Sequence, residues 1–273
     1  MRLKFSDIVA IVMAALPLQA SAGFEEGKAA MLAHRYDVAL KEFKPLADRG
    51  DARAQHILGM MYDEGQGMPQ DFAKASEWYK RAAEQGHLDA QYNLGVMFAQ
   101  GQGVERNDVE SARWFRKAAD KGHILSQFAM GRITTIGRGL KQDDAAAAAW
   151  YRKAAEQGHY KSQLVLGKCY LEGRGVKQDS RQGVEWITKS AEQGHSKAQF
   201  EMGHVYEQGT GVKKDLVEAY KWYSLAADQS HDGAIMARDA LGKQMKPEDI
   251  ARAKVLATEW KPVNVSSSLT VAK

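Results

Sequence analysis

"AAEQGH" runs from Ala82 to His87 and returns unchanged at Ala154 to His159, with near copies "AADKGH" (Ala118 to His123) and "SAEQGH" (Ser190 to His195). Either these histidines form a ladder for chemistry, or the run punctuates a repeated structural unit. The rest of the chain favours punctuation. Tryptophan stands at Trp78, Trp114, Trp150, Trp186 and Trp222, always 36 residues on, and G-x-G pairs at Gly65/Gly67, Gly101/Gly103, Gly137/Gly139, Gly173/Gly175 and Gly209/Gly211 keep the same step. Five units follow one another without insertion, and a period of this length is the signature of stacked supersecondary units.

Within a unit, Asp89 to Gln100 places apolar or small residues at Ala90, Leu94, Met97 and Phe98, the spacing of an amphipathic helix. This is helix A, and the following G-x-G breaks it. Asp71, Asn107, Asp143, Asp179 and Asp215 then stand where a side-chain oxygen can cap the next helix. That helix, B, carries the tryptophan, usually a second aromatic (Tyr79, Phe115, Tyr151, Tyr223), and a small residue three before the tryptophan (Ala75, Ser111, Ala147, Gly183, Ala219). Gly86, Gly122, Gly158 and Gly194 are placed to end it in the left-handed region. Two helices of this length cannot bury their apolar faces alone. The expected fold is therefore all-α, a superhelical solenoid of 36-residue helix-turn-helix repeats, rather than one compact bundle.

Residues 51–230 hold the five repeats; 23–50 and 231–262 read as degenerate helix pairs capping the two ends, with Ser230 replacing the expected glycine and Asp239 the glycine of "LG". Residues 263–273 lack periodicity and read as a flexible tail. At the start, "MRLKF", the apolar run Ile8 to Gln19 and Ala20-Ser21-Ala22 have the form of a secretory signal peptide, residues 1–22, with the cut expected after Ala22. The apolar run is shorter than the roughly 20 residues of a bilayer span, so no stable membrane insertion is expected. These features imply a periplasmic or secreted protein.

A unit such as "AQYNLGVMFAQGQGVERNDVESARWFRKAADKGH" resembles the Sel-one-like repeat, a relative of the tetratricopeptide repeat, through its LG, G-x-G, capping residue, W-Y or W-F and A-A positions. The third unit departs most, with Thr134 where the others carry Tyr62, Phe98, Tyr170 and Tyr206. The resemblance implies an α/α solenoid acting as an adaptor, and exported bacterial relatives that serve envelope complexes, secretion, motility or sensor control. It also implies that helix A lines the concave surface.

Composition narrows the function. The 273 residues carry 38 Lys+Arg against 34 Asp+Glu, a formal charge of +4 with no long basic run, so nucleic acid is not an expected partner. Cys169 is the only cysteine, in a column otherwise filled by Met61, Met97, Ile133 and Val205, and reads as a small apolar side chain. Some secreted relatives are described as β-lactamases, but they pair cysteines within each repeat and this chain has no S-x-x-K. No H-E-x-x-H occurs, and the G-x-G pairs lack the third glycine of a dinucleotide loop. No catalytic residue, cofactor or metal site is assigned. The alternatives kept are a hydrolase of that β-lactamase-like kind and a cell-wall glycan-binding module.

Two ladders remain. His87, His123, His159, His195 and His231 share a column that begins with Asp51, which points to capping of helix A; four imidazoles one repeat apart cannot converge on a metal at bonds of about 2.0 Å. Gln55, Gln91, Gln127, Gln163 and Gln199 never vary, which fits bonding of inter-repeat loops better than recognition of a ligand that differs along its length. Positions that do vary lie 4, 3 and 4 apart on helix A, hence on one face. Ile57, Met60, Asn93, Val96, Ala129, Arg132, Val165, Lys168, Glu201 and His204 are the candidate partner-binding residues. With Leu125 and Ile136 they make an apolar stripe, which Arg132, Lys161, Lys168 and Lys197 edge with positive charge. This suits an amphipathic or acidic segment of a protein or peptide; alternatively, part of the stripe packs against the next helix A. The expected protein is a monomeric, non-catalytic protein-interaction scaffold of the periplasm.

Overall fold

The computed structural model describes residues 22–263; the rest of the expected signal peptide, 1–21, and residues 264–273 of the expected tail lie outside them. Among the described residues the chain is all-α, with 14 helices and no strand, in repeats of about 36 residues. Helix α1 covers 22–32 and α2 covers Tyr36–Asp48. Five A/B pairs follow: α3 (Ala52–Glu64) with α4 (Phe72–Glu84), α5 (Leu88–Gln100) with α6 (Asp108–Ala119), α7 (Ile124–Ile136) with α8 (Asp144–Glu156), α9 (Tyr160–Glu172) with α10 (Ser180–Glu192), and α11 (Ser196–Gln208) with α12 (Leu216–Ala227). A last pair is α13 (Asp232–Gly242) and α14 (Pro247–Glu259). The chain forms two compact units, one ending at Ser126 and one beginning at Gln127.

Local chemistry sets the helix ends. Asp71, Asn107, Asp143, Asp179 and Asp215 each accept from backbone N–H groups in the first turn of helix B. Their own N–H groups donate to carbonyls near the end of helix A, as Asp71 does to Tyr62 at 2.9 Å, which closes the G-x-G loop. Thr134 keeps this loop closure, with Asp143 N–H donating to its carbonyl at 3.1 Å, although its side chain departs from the repeat. The first glycine of each pair ends helix A with positive φ, for example 72° at Gly101. The second glycine passes close to the start of the preceding helix B: a Cβ on Gly211 would lie 2.6 Å from the Ser180 carbonyl oxygen. A side chain is excluded there on both counts.

Packing explains the aromatic that follows the tryptophan. In the first unit Tyr79 and Phe115 lie over Gly59 and Gly95; in the second, Tyr151, Ile187 and Tyr223 lie over Gly131, Gly167 and Gly203. A Cβ on Gly95 would sit 2.7 Å from the Phe115 ring, so the "LG" glycine is what lets helices A and B meet. The core of the first unit runs through Phe43, Leu58, Met61 and Trp78, then Tyr79, Leu94, Met97 and Trp114. In the second it runs through Tyr151, Leu166 and Tyr170, then Ile187, Met202, Val205 and Trp222. Cys169 is buried, and desolvation raises its thiol pKa, as expected for an inert apolar position. Trp186 is only half-buried, unlike the other four tryptophans of its column. After α14 the chain turns back within the second unit: Trp260 meets Trp222 edge to face at 6.2 Å, and Val263 N–H donates to the Glu192 carbonyl at 2.7 Å.

Candidate functional site

Both ladders are built into the scaffold. Four of the buried glutamines donate from Nε2 to the carbonyl eight residues earlier, at the end of the preceding helix B: Gln55 to Ala47 and Gln91 to Ala83 at 3.0 Å, Gln163 to Ala155 at 3.1 Å, Gln199 to Ala191 at 3.3 Å. The Oε1 of Gln55, Gln163 and Gln199 in turn accepts from a glutamine thirty residues later, in "EQGH" or, at the last repeat, "DQSH": Gln85 to Gln55 and Gln193 to Gln163 at 2.7 Å, Gln229 to Gln199 at 2.8 Å. The "DKGH" variant breaks this clasp, because Lys121 stands where a glutamine would donate, and the buried Gln91 Oε1 is left without a partner. An unmet buried acceptor costs about 1 to 3 kcal/mol. Lys121→Gln is therefore expected to stabilise the chain by about 1 kcal/mol in urea denaturation, and an unchanged or lower midpoint would show that the clasp contributes nothing there.

The histidine column caps helix A. Nδ1 of His87 accepts from Ala90 N–H at 3.3 Å, those of His123 and His159 from Ser126 and Ser162 N–H at 3.3 Å, and that of His231 from Ala234 N–H at 3.2 Å. Asp51 does the same for α3. His195 differs: its Nδ1 lies 3.1 Å from Ser190 Oγ and makes no such cap. Desolvation lowers the pKa of His159 and of His195 to about 4, so both rings are neutral at pH 7. The Ser162 hydroxyl 2.8 Å from His159 is no activated nucleophile, since the serine is fully buried and the Nδ1 lone pair already serves the Ser162 amide.

Each capping ring also packs on a ring from the previous repeat: His123 on Tyr92, His159 on Phe128, His231 on Phe200, and His87 on His56. The position of His56 is otherwise filled by Tyr92, Phe128, Leu164 and Phe200. His56 does not stand out in the 36-residue pattern of the sequence. The signal that could have found it is a lone titratable ring in an apolar column, adjacent to a column of histidines.

On the variable helix-A face of the first unit, Ile57 and Met60 are half-buried against its two cores, Val96 is half-buried, and Asn93 Nδ2 lies 3.2 Å from His56 Nε2. In the second unit Ala129 and Val165 are half-buried, Val165 against the Tyr151–Leu166 core, while Arg132, Lys161 and Lys197 are exposed. Lys168 forms an ion pair with Glu201 across α9 and α11, and His204 Nδ1 lies 2.9 Å from the Tyr223 hydroxyl. None of the ten candidates is fully buried. Three of the polar ones, Lys168, Glu201 and His204, are already engaged within the second unit, which leaves Arg132, Lys161 and Lys197 as the exposed cations of that face.

The family model for the Sel1 repeat matches residues 52–87, 88–123, 124–159, 161–195 and 196–231. A solved Sel1 repeat protein from Oxalobacter formigenes is 31% identical over 86% of this chain and 98% of its own, with a TM-score of 0.75. A protective antigen of uropathogenic Escherichia coli with the SLR fold is 25% identical over 82% of this chain and 72% of its own, with a TM-score of 0.39. An immunity protein from Pseudomonas aeruginosa is 21% identical over 79% and 84%, with a TM-score of 0.48. No curated protein matches the chain.

Proposed function

Because the chain belongs to the Sel1 repeat family, whose members generally serve as protein-interaction scaffolds, we propose that it is a non-catalytic adaptor of the bacterial periplasm, exported by residues 1–22. It holds an amphipathic or acidic segment of another envelope protein on the variable face of its A helices. The observation that carries this reading is a division of labour. Invariant Gln, His, Trp and Gly positions are consumed by clasps, caps, core and close contacts, whereas the positions that differ between repeats stay half-buried or exposed. The polar and apolar groups left for recognition therefore gather on one helix face per repeat.

Burial of the tryptophans weighs against glycan recognition, which needs open aromatic platforms; Trp78, Trp114, Trp150 and Trp222 are all in the core. The test is recovery of the partner after crosslinking in the periplasm with Val96→Asp and Arg132→Asp, one substitution per unit. Both leave the Lys168–Glu201 pair intact. Recovery is expected to fall at least about tenfold, as loss of about 1.4 kcal/mol or more implies. Undiminished recovery by the folded variants would remove the helix-A face from consideration, and a mature chain that does not begin at Gly23 would remove the export assignment.

A further inference from the structure

Away from the variable helix-A face, the second unit holds an open cleft of about 540 Å³, walled by α8, the end of α9 and the loop into α10. Its size is within the range of small-ligand sites. Three donor groups line it. Arg152 projects from α8, and its Nη2 donates to the Tyr170 hydroxyl at 2.7 Å, with the guanidinium carbon 5.8 Å from the centroid of that ring. Tyr170 is 8% exposed, and its hydroxyl, already accepting from Arg152, keeps its own proton without an acceptor among the described residues. Lys177 adds an exposed ammonium from the loop. Among the described residues, neither cation meets a carboxylate at ion-pair distance. The one carboxylate lining the cleft is already spent: Asp179 caps α10, accepting from the Gln182 amide at 3.0 Å and from Gln182 Nε2 at 3.1 Å. Val176 and the Tyr170 ring supply an apolar wall.

The combination occurs once in the chain. Arg152 and Tyr170 are 18 residues apart, and the same spacing elsewhere gives Lys44 with Tyr62, Lys80 with Phe98, Arg116 with Thr134 and Thr188 with Tyr206. Lys44 is paired with Asp48. The equivalent cleft of the next repeat is an internal contrast: it keeps Tyr206 and gains Lys213 and Lys214, but Glu218 and Asp249 also line it, and Thr188 stands in place of Arg152. A guanidinium presents its donors in a planar fork that matches a carboxylate, which an ammonium cannot do. Two cations against the single carboxylate of Asp179 leave one net positive charge in the cleft, which suits a monoanion better than a phosphate dianion. We infer that the cleft binds a carboxylate borne on an apolar group. Arg152 is its two-pronged partner, the Tyr170 hydroxyl positions Arg152 and donates its own proton, and Lys177 flanks the charge. Val176 and the Tyr170 ring take the apolar group.

None of these residues belongs to the variable helix-A face, so the site stands or falls apart from the partner-binding reading. The test titrates the untagged chain from Gly23 to Lys273 with N-acetyl-leucine, with N-acetyl-leucinamide, and with an acetylated hexapeptide that ends in leucine with a free carboxylate. Backbone amide NMR resonances from Val176 to Gln182 report binding. Both acids are expected to shift them saturably, and the amide is expected to leave them in place. Tighter binding of the hexapeptide assigns the carboxylate to a chain terminus, and equal binding of the two acids assigns it to a free acid. Arg152→Thr copies the residue that Thr188 supplies in the next repeat, so its fold is retained. That variant is expected to weaken binding about 10- to 100-fold, the loss of a hydrogen bond to a charged group. Arg152→Lys keeps the charge without the fork and is expected to recover only part of this. Tyr170→Phe, which places there the residue of Phe98, is expected to weaken binding about 3- to 10-fold. No saturable shift with either acid, equal binding of N-acetyl-leucine and its amide, or unaltered affinity in Arg152→Thr would each overturn the assignment.

Discussion

Trp150→Ala is expected to cost about 3 to 5 kcal/mol in urea denaturation, the range for truncating a buried large aromatic side chain. Trp150 is 7% exposed, in the middle of α8, with buried Ala147, Tyr151 and Ala154 on the same helix. The Lys153 ammonium lies 4.1 Å from the ring centroid, so the variant also loses a cation–π contact. In a repeat array each unit is stabilised mainly by its neighbours, so a cavity in one repeat also weakens its packing on the next. Trp186 provides the internal comparison. It occupies the same repeat position and carries the same cation, Lys189 at 4.2 Å, but it is only half-buried. Trp186→Ala is therefore expected to cost clearly less. Equal losses would show that burial does not set the difference between the two positions, and a loss below about 1 kcal/mol at Trp150 would place its ring outside the core.

Acidification from pH 7 to pH 4 is expected to remove about 3 kcal/mol of stability through His159 alone. Desolvation is the first cause of its lowered pKa, with the charge of Lys161, and that of His195 once it is protonated, adding to it. The folded value is about 4 against 6.5 for the free side chain, so between these values the unfolded chain binds a proton that the folded chain does not. Stability is thus full above pH 6.5, falls as pH drops through that value, and levels off below pH 4. The ring is 5% exposed, so solvent screens little of this, and at 1.36 kcal/mol per pKa unit the loss reaches about 3 kcal/mol. Carboxylates contribute to acid destabilisation as well, so the measurement is the difference between wild type and His159→Asn across pH. Asparagine keeps a capping acceptor and cannot titrate. Parallel curves for the two chains would show that His159 is protonated in the folded state.

The repeated helices, the caps of helix B and the terminating glycines were legible in the sequence, whereas the failure of His195 to cap α11 was not. Asp71 caps α4 and Gly101 ends α5 because a carboxylate near free N–H groups and a residue without Cβ at positive φ are demands of the backbone within four residues. The capping role of the histidines could be read from Asp51 at the head of their column for the same reason. The candidate site was legible only as a list of varying positions on one helix face. Their burial, and the pairing of Lys168 with Glu201, depend on which rotamers meet across two helices.

The sequence by itself determined the unit, its number and its register, since periodicity, capping and glycine conformation act locally and repeat with the chain. Only the tertiary structure decided what neighbouring units do to one another. It showed that the glutamine of "AAEQGH" clasps a glutamine thirty residues earlier, that Tyr79 needs the absent side chain of Gly59, and that His56 stacks on the capping ring of His87 at 4.5 Å. These are contacts about one repeat apart, and only packing brings such residues within the few ångströms over which hydrogen bonds and ring contacts act.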